Sequence, residues 1–462
     1  MYCFVNFISS IKQDNFSKTK TNFANQIKML QGDVSASFIA QKSFLLLYGL
    51  KIMKSLFATV FFGFLLFLAS TAQTVGSNKH NQVSGDSLRV KPTDTVKQVD
   101  LVDYLVKWFK IKNSQQKRDN QKIRFTLFPT QSGAGGGKTV ITSFNASFLL
   151  GDISNTNVST VLFVPYISFD KRFGFQLQPN IWLRKNSWNF TGEYFFLNYP
   201  QETWGLGGAS PDEYETMIDY NQTRIHQNAL KGILPHFAVG VGYAYDRHYN
   251  IKVEENEYQE MFEAYFPTDV DHTTSSGITI PAIYDSRHNS NNPQQGLMAS
   301  ATYSFYLQAL GSDADWQSLF LDVRKYFPFA GKRSQILAFR SYYWTIINGH
   351  APYLDLPANR WEPALGSSSR GIQQNRYRSN ALIDFETEYR FGITANGLFG
   401  GVVFASVTSA SEYGTQQFKY LHPAAGAGLR LKFNKYSRVN VTLDFGFSKG
   451  YQALYVNIGE VF

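Results

Sequence analysis

The chain has 462 residues, of which 17% are charged and 16% aromatic, with a formal net charge of +9 and a single cysteine. So little charge beside so many Tyr and Phe does not suit a large soluble enzyme, and the lone Cys3 excludes a disulfide framework. Residues 1–72 carry seven Lys and two Asp, and so hold five of the nine excess positive charges; the remainder is only mildly basic, which gives no footing for nucleic acid as a partner.

In chain order, a complete export signal begins at Met53: Lys54 supplies a basic start, Leu56–Leu68 an apolar run of thirteen residues, and Ser70-Thr71-Ala72 a small-residue cleavage site. The pattern predicts a signal peptide over 53–72 cut near Ala72, because thirteen apolar residues fall short of the roughly 20 that a bilayer-spanning helix needs. Residues 1–52 then read as an upstream extension from a misplaced start. Residues 73–121 read as a polar periplasmic linker. Within it "VDLVDYLVKWF" sets Leu101, Leu105 and Trp108, with Val102 and Phe109, at helical spacing. That predicts a short amphipathic helix that packs against the rest or gates it.

From Ile123 onward the period is two. "LMASATYSFYLQA" puts Leu297, Ala299, Ala301, Tyr303, Phe305, Leu307 and Ala309 on one face, with Ser300, Thr302, Ser304 and Gln308 on the other. "VGVGYAYDRHY", "LIDFETEYRFGI", "AGAGLRLKF" and "VNVTLDFGFS" (Val439–Ser448) repeat the pattern. These segments are long, they recur without helices, and about ten slanted residues suffice to cross a bilayer as a strand. The reading is therefore all-β: a transmembrane antiparallel β-barrel of 16 strands over 122–462, its polar faces toward a lumen and its apolar faces toward lipid. Links between strands sort by side. "KNS", "FAGKR", "TANG" and "NKYS" are short, whereas Pro200–Asp212, Asn250–Thr274, Gly349–Asn380 and Ser411–Pro423 are long, the asymmetry of periplasmic turns and outer loops. Closure would join the last strand, "ALYVNIGEVF", with Leu454, Val456, Ile458 and Phe462 on one face, to the first, because unpaired backbone is costly in lipid.

No enzyme is legible. "SGAGGGKT" (Ser132–Thr139) lacks the first glycine of a phosphate loop and opens no helix. The eight histidines show no metal spacing, nothing sets a serine beside His248 or His350, and no cofactor is implied.

Two other stretches stand out. "YDSRHNSNNPQQG" (Tyr284–Gly296) falls at an inner turn, and "LGSSSRGIQQNRYRSN" (Leu365–Asn380) ends the longest outer loop. The strand after that loop sets Asp384, Glu386, Glu388 and Arg390 on the lumen side, where an inward loop Arg could make bidentate contact. Over roughly 123–462 the chain resembles the BamA/TamA superfamily of outer-membrane barrels, also called bacterial surface antigens. Asp285, Arg287, Asn289, Pro293 and Gly296 are similar to that family's inner turn motif. Arg370-Gly371 lies where the family carries the tip of its sixth outer loop. Glu388-Tyr389-Arg390 resembles its Glu-x-Arg strand, and Asn457-Ile458-Gly459 with Phe462 its closing strand. Ile372 replaces an aromatic, and Ser406 stands where the family has an Asp that helps hold the loop Arg, which leaves the clamp to Glu388 with Glu386. The 49 residues of Gln73–Gln121 are too few for one periplasmic polypeptide-binding repeat.

The resemblance implies assistance in inserting or exporting outer-membrane proteins, by a seam between Ile123–Thr130 and Ala453–Phe462 that opens to template a client strand. A passive channel with an Arg/Glu-lined lumen and a structural surface antigen within an envelope complex are the alternatives. Partners on this reading are outer-membrane lipid and client proteins or complex subunits.

Overall fold

The computed structural model describes residues 98–108, 123–130, 139–152, 155–168, 173–198, 200–254, 270–287, 289–290, 292–329, 335–359, 368–435 and 438–462. The upstream extension, the signal segment and the glycine-rich loop after Thr130 lie outside the described residues.

Alternating sequence becomes extended chain throughout. The strands are β1 (Ile123–Thr130), β2 (Thr139–Phe148), β3 (Ser159–Ser168), β4 (Phe173–Trp182), β5 (Trp188–Asn198), β6 (Gln201–Thr203), β7 (Thr216–Leu234), β8 (Phe237–Val253) and β9 (His272–Asp285). They continue with β10 (Gly296–Tyr306), β11 (Trp316–Pro328), β12 (Ile336–Gly349), β13 (Ala381–Gly392), β14 (Phe399–Ala410), β15 (His422–Asn434), β16 (Val439–Ser448) and β17 (Tyr451–Ile458). All belong to one sheet and pair antiparallel with their chain neighbours, except that β5 and the short β6 both pair with β7. β1 lies near β17, and among the described residues no backbone ladder joins them.

The polarity of this sheet is the reverse of a water-soluble one. On β16 Thr442 and Asp444 are fully buried, while Leu443, Phe445 and Phe447 are 40–49% exposed. On β13 Asp384, Glu386 and Glu388 are buried and Ile383 and Phe385 open. In water such an arrangement would expose apolar area at about 25 cal/mol per Å² while hiding charge; against hydrocarbon the same arrangement is favourable.

Two strands outgrow the bilayer. The 19 residues of β7 reach about 60 Å at about 3.3 Å each, roughly twice the hydrocarbon thickness. The outer ends of β7 and β8 expose Asp219 and Arg247 instead of apolar side chains. A register shift opposite Asn250, whose φ is 55°, reverses the parity there and turns Ile251 inward. Ile251 joins Ile218, Tyr220, Tyr353, Leu354 and Leu356 in an apolar cluster beneath the outer loops. Arg376 lies over the rings of Trp204 and Tyr377 and bonds Asp212 at 2.6 Å, tying two outer loops together.

The helix α1 (Leu101–Trp108) starts with reciprocal caps: Asp103 N–H donates to Asp100 Oδ1 at 2.8 Å and Asp100 N–H to Asp103 Oδ2 at 3.2 Å, satisfying donors that a helix start leaves open. The same carboxylates hold Lys435, through its backbone N–H to Asp100 at 2.9 Å and its Nζ to Asp103 at 2.6 Å. The helix is thereby tied to the turn after β15.

Two expected strand ends move. β10 stops at Tyr306, and Gln308–Leu310 form a 3-10 turn closed by Gly311 at φ 92°, so Ala309 leaves the sheet. The closing strand stops at Ile458, and Gly459 at φ 89° turns the chain. Phe462 therefore does not share the outward face of Leu454: it is 3% exposed and packs inside against Tyr326, Ile336 and Ala338.

Candidate functional site: an inward loop on a ring of charges

The tip of the outer loop between β12 and β13 lies on the polar side of the sheet. Arg370 is 1% exposed. Its Nη2 donates to Glu388 Oε1, its Nη1 to Asp444 Oδ2 at 2.5 Å, and its guanidinium sits 3.7 Å from the centre of the Phe404 ring. Strands β13, β14 and β16 thus each supply one wall. The backbone of the tip is held as well. Ser369 N–H donates to Glu386, Ser369 Oγ to Asp384 Oδ2 at 2.7 Å, and Gly371 N–H to Tyr455 Oη on β17 at 3.0 Å.

The approach of this tip to β16 requires glycine on both sides. Gly371 has φ 95°, and a Cβ there would lie 2.5 Å from Phe447 N. A Cβ on Gly446 would lie 2.7 Å from Gly371 N. Both distances are far inside van der Waals contact, and a positive φ is costly for any side-chain-bearing residue.

Arg370 belongs to a closed circuit. Arg390 Nε donates to Glu388 Oε2 at 2.7 Å. Arg430 bonds Asp444 from the other side, and its Nε donates to Glu460 Oε2 at 2.8 Å. Glu460 stands 3.7 Å from Arg390 Nε, which closes six groups of alternating sign into a neutral ring. Each buried carboxylate faces two guanidiniums, the arrangement that offsets a desolvation cost of several kcal/mol per ion. Arg390 also donates to a main-chain oxygen of Phe462 at 2.6 Å, and Asn440 Nδ2 to Glu460 Oε1 at 2.7 Å. The segment after β17 is therefore part of the same assembly.

Of the residues singled out from sequence, Arg370, Gly371, Glu388 and Arg390 come together here. Glu386 meets the loop through the Ser369 backbone and not through the Arg370 guanidinium. Ser406, which stands opposite Glu386 in place of the family's Asp, is buried, and its hydroxyl has no hydrogen-bond partner among the described residues. Asp444 takes the second carboxylate position instead. The inner turn adjoins this assembly through Tyr326, which Arg287 meets and which lies beneath Arg390 and against Phe462. Arg287 donates from Nε and Nη2 to Asp285 at 2.9 and 2.7 Å, Asn289 Oδ1 accepts from Asn292 N–H at 2.9 Å, Pro293 is buried, and Gly296 at φ 113° starts β10. Asn457 and Ile458 stand opposite Thr442 and Val441; the Ile458 side chain lies outside the described residues. Gly459 N–H donates to Asn440 O at 2.9 Å. Asp444, Arg430, Tyr455, Phe404 and Glu460 were not foreseen. The alternation in "VNVTLDFGFS" and "AGAGLRLKF" does put Asp444 and Arg430 on the polar face, which was the available signal.

An antiparallel sheet with apolar outside, charge inside, and a loop Arg fixed among strand carboxylates defines a protein of the outer-membrane β-barrel class. The model of the Omp85 superfamily domain matches residues 167–462, and the chain belongs to that superfamily. Solved structures similar to it include BamA from Haemophilus ducreyi lacking POTRA domains 1–3, with 14% identity and a TM-score of 0.48 over 74% of this chain and 70% of that one. CdiB from Acinetobacter baumannii gives 13% and 0.49 over 73% and 60%, and CdiB from Escherichia coli 8% and 0.49 over 73% and 62%. The chain thus spans about three fifths of the two CdiB chains. No curated protein matches.

Proposed function

We propose that the sheet closes into a sixteen-stranded barrel, with β6 continuing β5, and that this barrel assists the insertion or translocation of outer-membrane or surface proteins. The chain reaches the outer membrane by the signal over 53–72, and the segment over 73–121 remains periplasmic. The observation that carries the reading is the neutral charge ring that holds the loop tip against β13, β16 and β17. It stiffens the wall next to β17, while among the described residues no ladder joins β1 to β17, and a weakly joined seam is where a client strand could add by backbone pairing.

A passive channel is the competing reading. The loop tip and the tail occupy polar space along β12–β17, which counts against a wide pore. Purified protein reconstituted in vesicles should accelerate membrane insertion of an added unfolded outer-membrane protein severalfold over empty vesicles, and depletion in cells should lower outer-membrane protein levels. No acceleration, together with large and stable conductance in planar bilayers, would replace the insertion reading with the channel.

A further inference from the structure

We propose that the outer loop 411–421 is a membrane anchor that seats in the interfacial layer of the outer leaflet. The proposal rests on the outer-membrane barrel reading and adds a lipid contact to it.

The loop is built, not slack. Glu412 N–H donates to Gln417 O and Gln416 N–H to Glu412 O, both at 2.9 Å, closing a tight turn in which Gln416 and Gly414 have φ of 57° and 84°. Its base is pinned by Ser411 N–H to Ala381 O at 2.9 Å, Ser409 Oγ to Tyr420 O at 2.6 Å and Gly208 N–H to Glu412 Oε1 at 2.9 Å.

Among the polar residues of its tip, the loop displays four large side chains with apolar surface. Tyr413, Phe418, Tyr420 and Leu421 are 51%, 42%, 45% and 71% exposed. A turn of this stability bathed only in water has no reason to present four large apolar side chains. Their direction decides the occupant. Phe418 lies 6.5 Å, ring to ring, from Tyr343, which sits on the outward face of β12 opposite Ile383. Phe418 therefore places the tip of the loop over the flank of β13, while Tyr420 backs onto Gly208, where an added Cβ would lie 3.3 Å from its own Cβ. Leu421 shares parity with Pro423 and the 54%-exposed Leu429 on β15, so it extends the outward apolar stripe upward. The patch is continuous with the lipid-facing surface at its outer rim, where aromatic rings with one polar edge are favoured. Lys419, exposed between Phe418 and Tyr420, can lay its stem along that surface and raise its amine to headgroup phosphates.

The test uses nitroxide labels in the full chain with Cys3→Ser, reconstituted in phosphatidylethanolamine/phosphatidylglycerol vesicles. Labels at Phe418→Cys and Leu421→Cys are compared with Leu443→Cys on the outward face of β16 and with Lys252→Cys on the protruding end of β8. Collision with oxygen over collision with a water-soluble nickel chelate is expected to be severalfold higher at 418 and 421 than at 252, and highest at 443. Water-like ratios at 418 and 421 beside a lipid-like ratio at 443 would overturn the anchor, freeing the patch for a protein partner, and leave the barrel standing. A water-like ratio at 443 would remove the barrel reading itself.

Discussion

Replacing Arg370 with Ala tests the charge ring at its centre. The substitution removes one cation from a neutral set of six, leaving Glu388 with Arg390 and Asp444 with Arg430. Breaking a buried pair by deleting one partner costs about 3–5 kcal/mol. Because each carboxylate keeps one guanidinium, the lower end applies, and about 3 kcal/mol is roughly a hundredfold in the equilibrium for loop release. The loss of the stack on Phe404 acts in the same direction. The assay is proteolysis of the loop between β12 and β13 in intact cells with proteinase K, which does not depend on the Arg as a cleavage site. Cleavage in the variant is expected to rise by one to two orders of magnitude, by about the fraction of loop released. Arg370→Lys should lie between, since it restores charge without the fork. Equal cleavage in Arg370→Ala and the parent protein would show that the ring does not hold the loop.

Three further outcomes follow from the same geometry. Asp444→Asn should release the loop to a similar degree, and the double variant with Arg370→Ala should cost clearly less than the sum, read by the same proteolysis. Gly371→Ala should lower the thermal unfolding midpoint and loosen the tip, because a methyl group cannot fit 2.5 Å from Phe447 N and the φ of 95° adds about 1–3 kcal/mol of strain. Acidification should free the tail. Burial alone would raise the Glu460 carboxyl, but Arg430 and Arg390 outweigh it and hold it below the usual carboxylate range. Its stabilising contribution is thus complete above the unfolded value of about 4.3 and is lost as pH falls through the lower folded value. Melting midpoints from pH 7 down to 3 should fall more steeply in the parent than in Glu460→Gln, and parallel curves would remove Glu460 from the account.

The sheet was legible because alternation is a local property: Leu443 against Asp444 is visible without any partner strand. The end of the sheet that each link occupies was legible because short and long links sort. The clamp was half legible. A one-strand pattern gives the face a side chain takes but not its height, and the height of Asp444 relative to Arg370, 74 residues away, is set by the stagger of β13 through β16. Resemblance supplied Arg370 and Glu388; it also pointed to position 406, where the hydroxyl has no hydrogen-bond partner among the described residues. Phe462 was misplaced because period two was carried past Gly459, whose left-handed backbone resets the count.

The alternation that turns one face of each strand to hydrocarbon also dilutes it. A polar side chain falls at nearly every second position, mean hydropathy over the whole chain is −0.24, and no described helix is long and apolar enough to cross a membrane. A secretory pore sorts by continuous greasy length, so a polypeptide written this way can be threaded through the inner membrane without being halted there. Its oiliness emerges only once neighbouring strands are side by side, which defers the commitment to lipid until the second bilayer is reached.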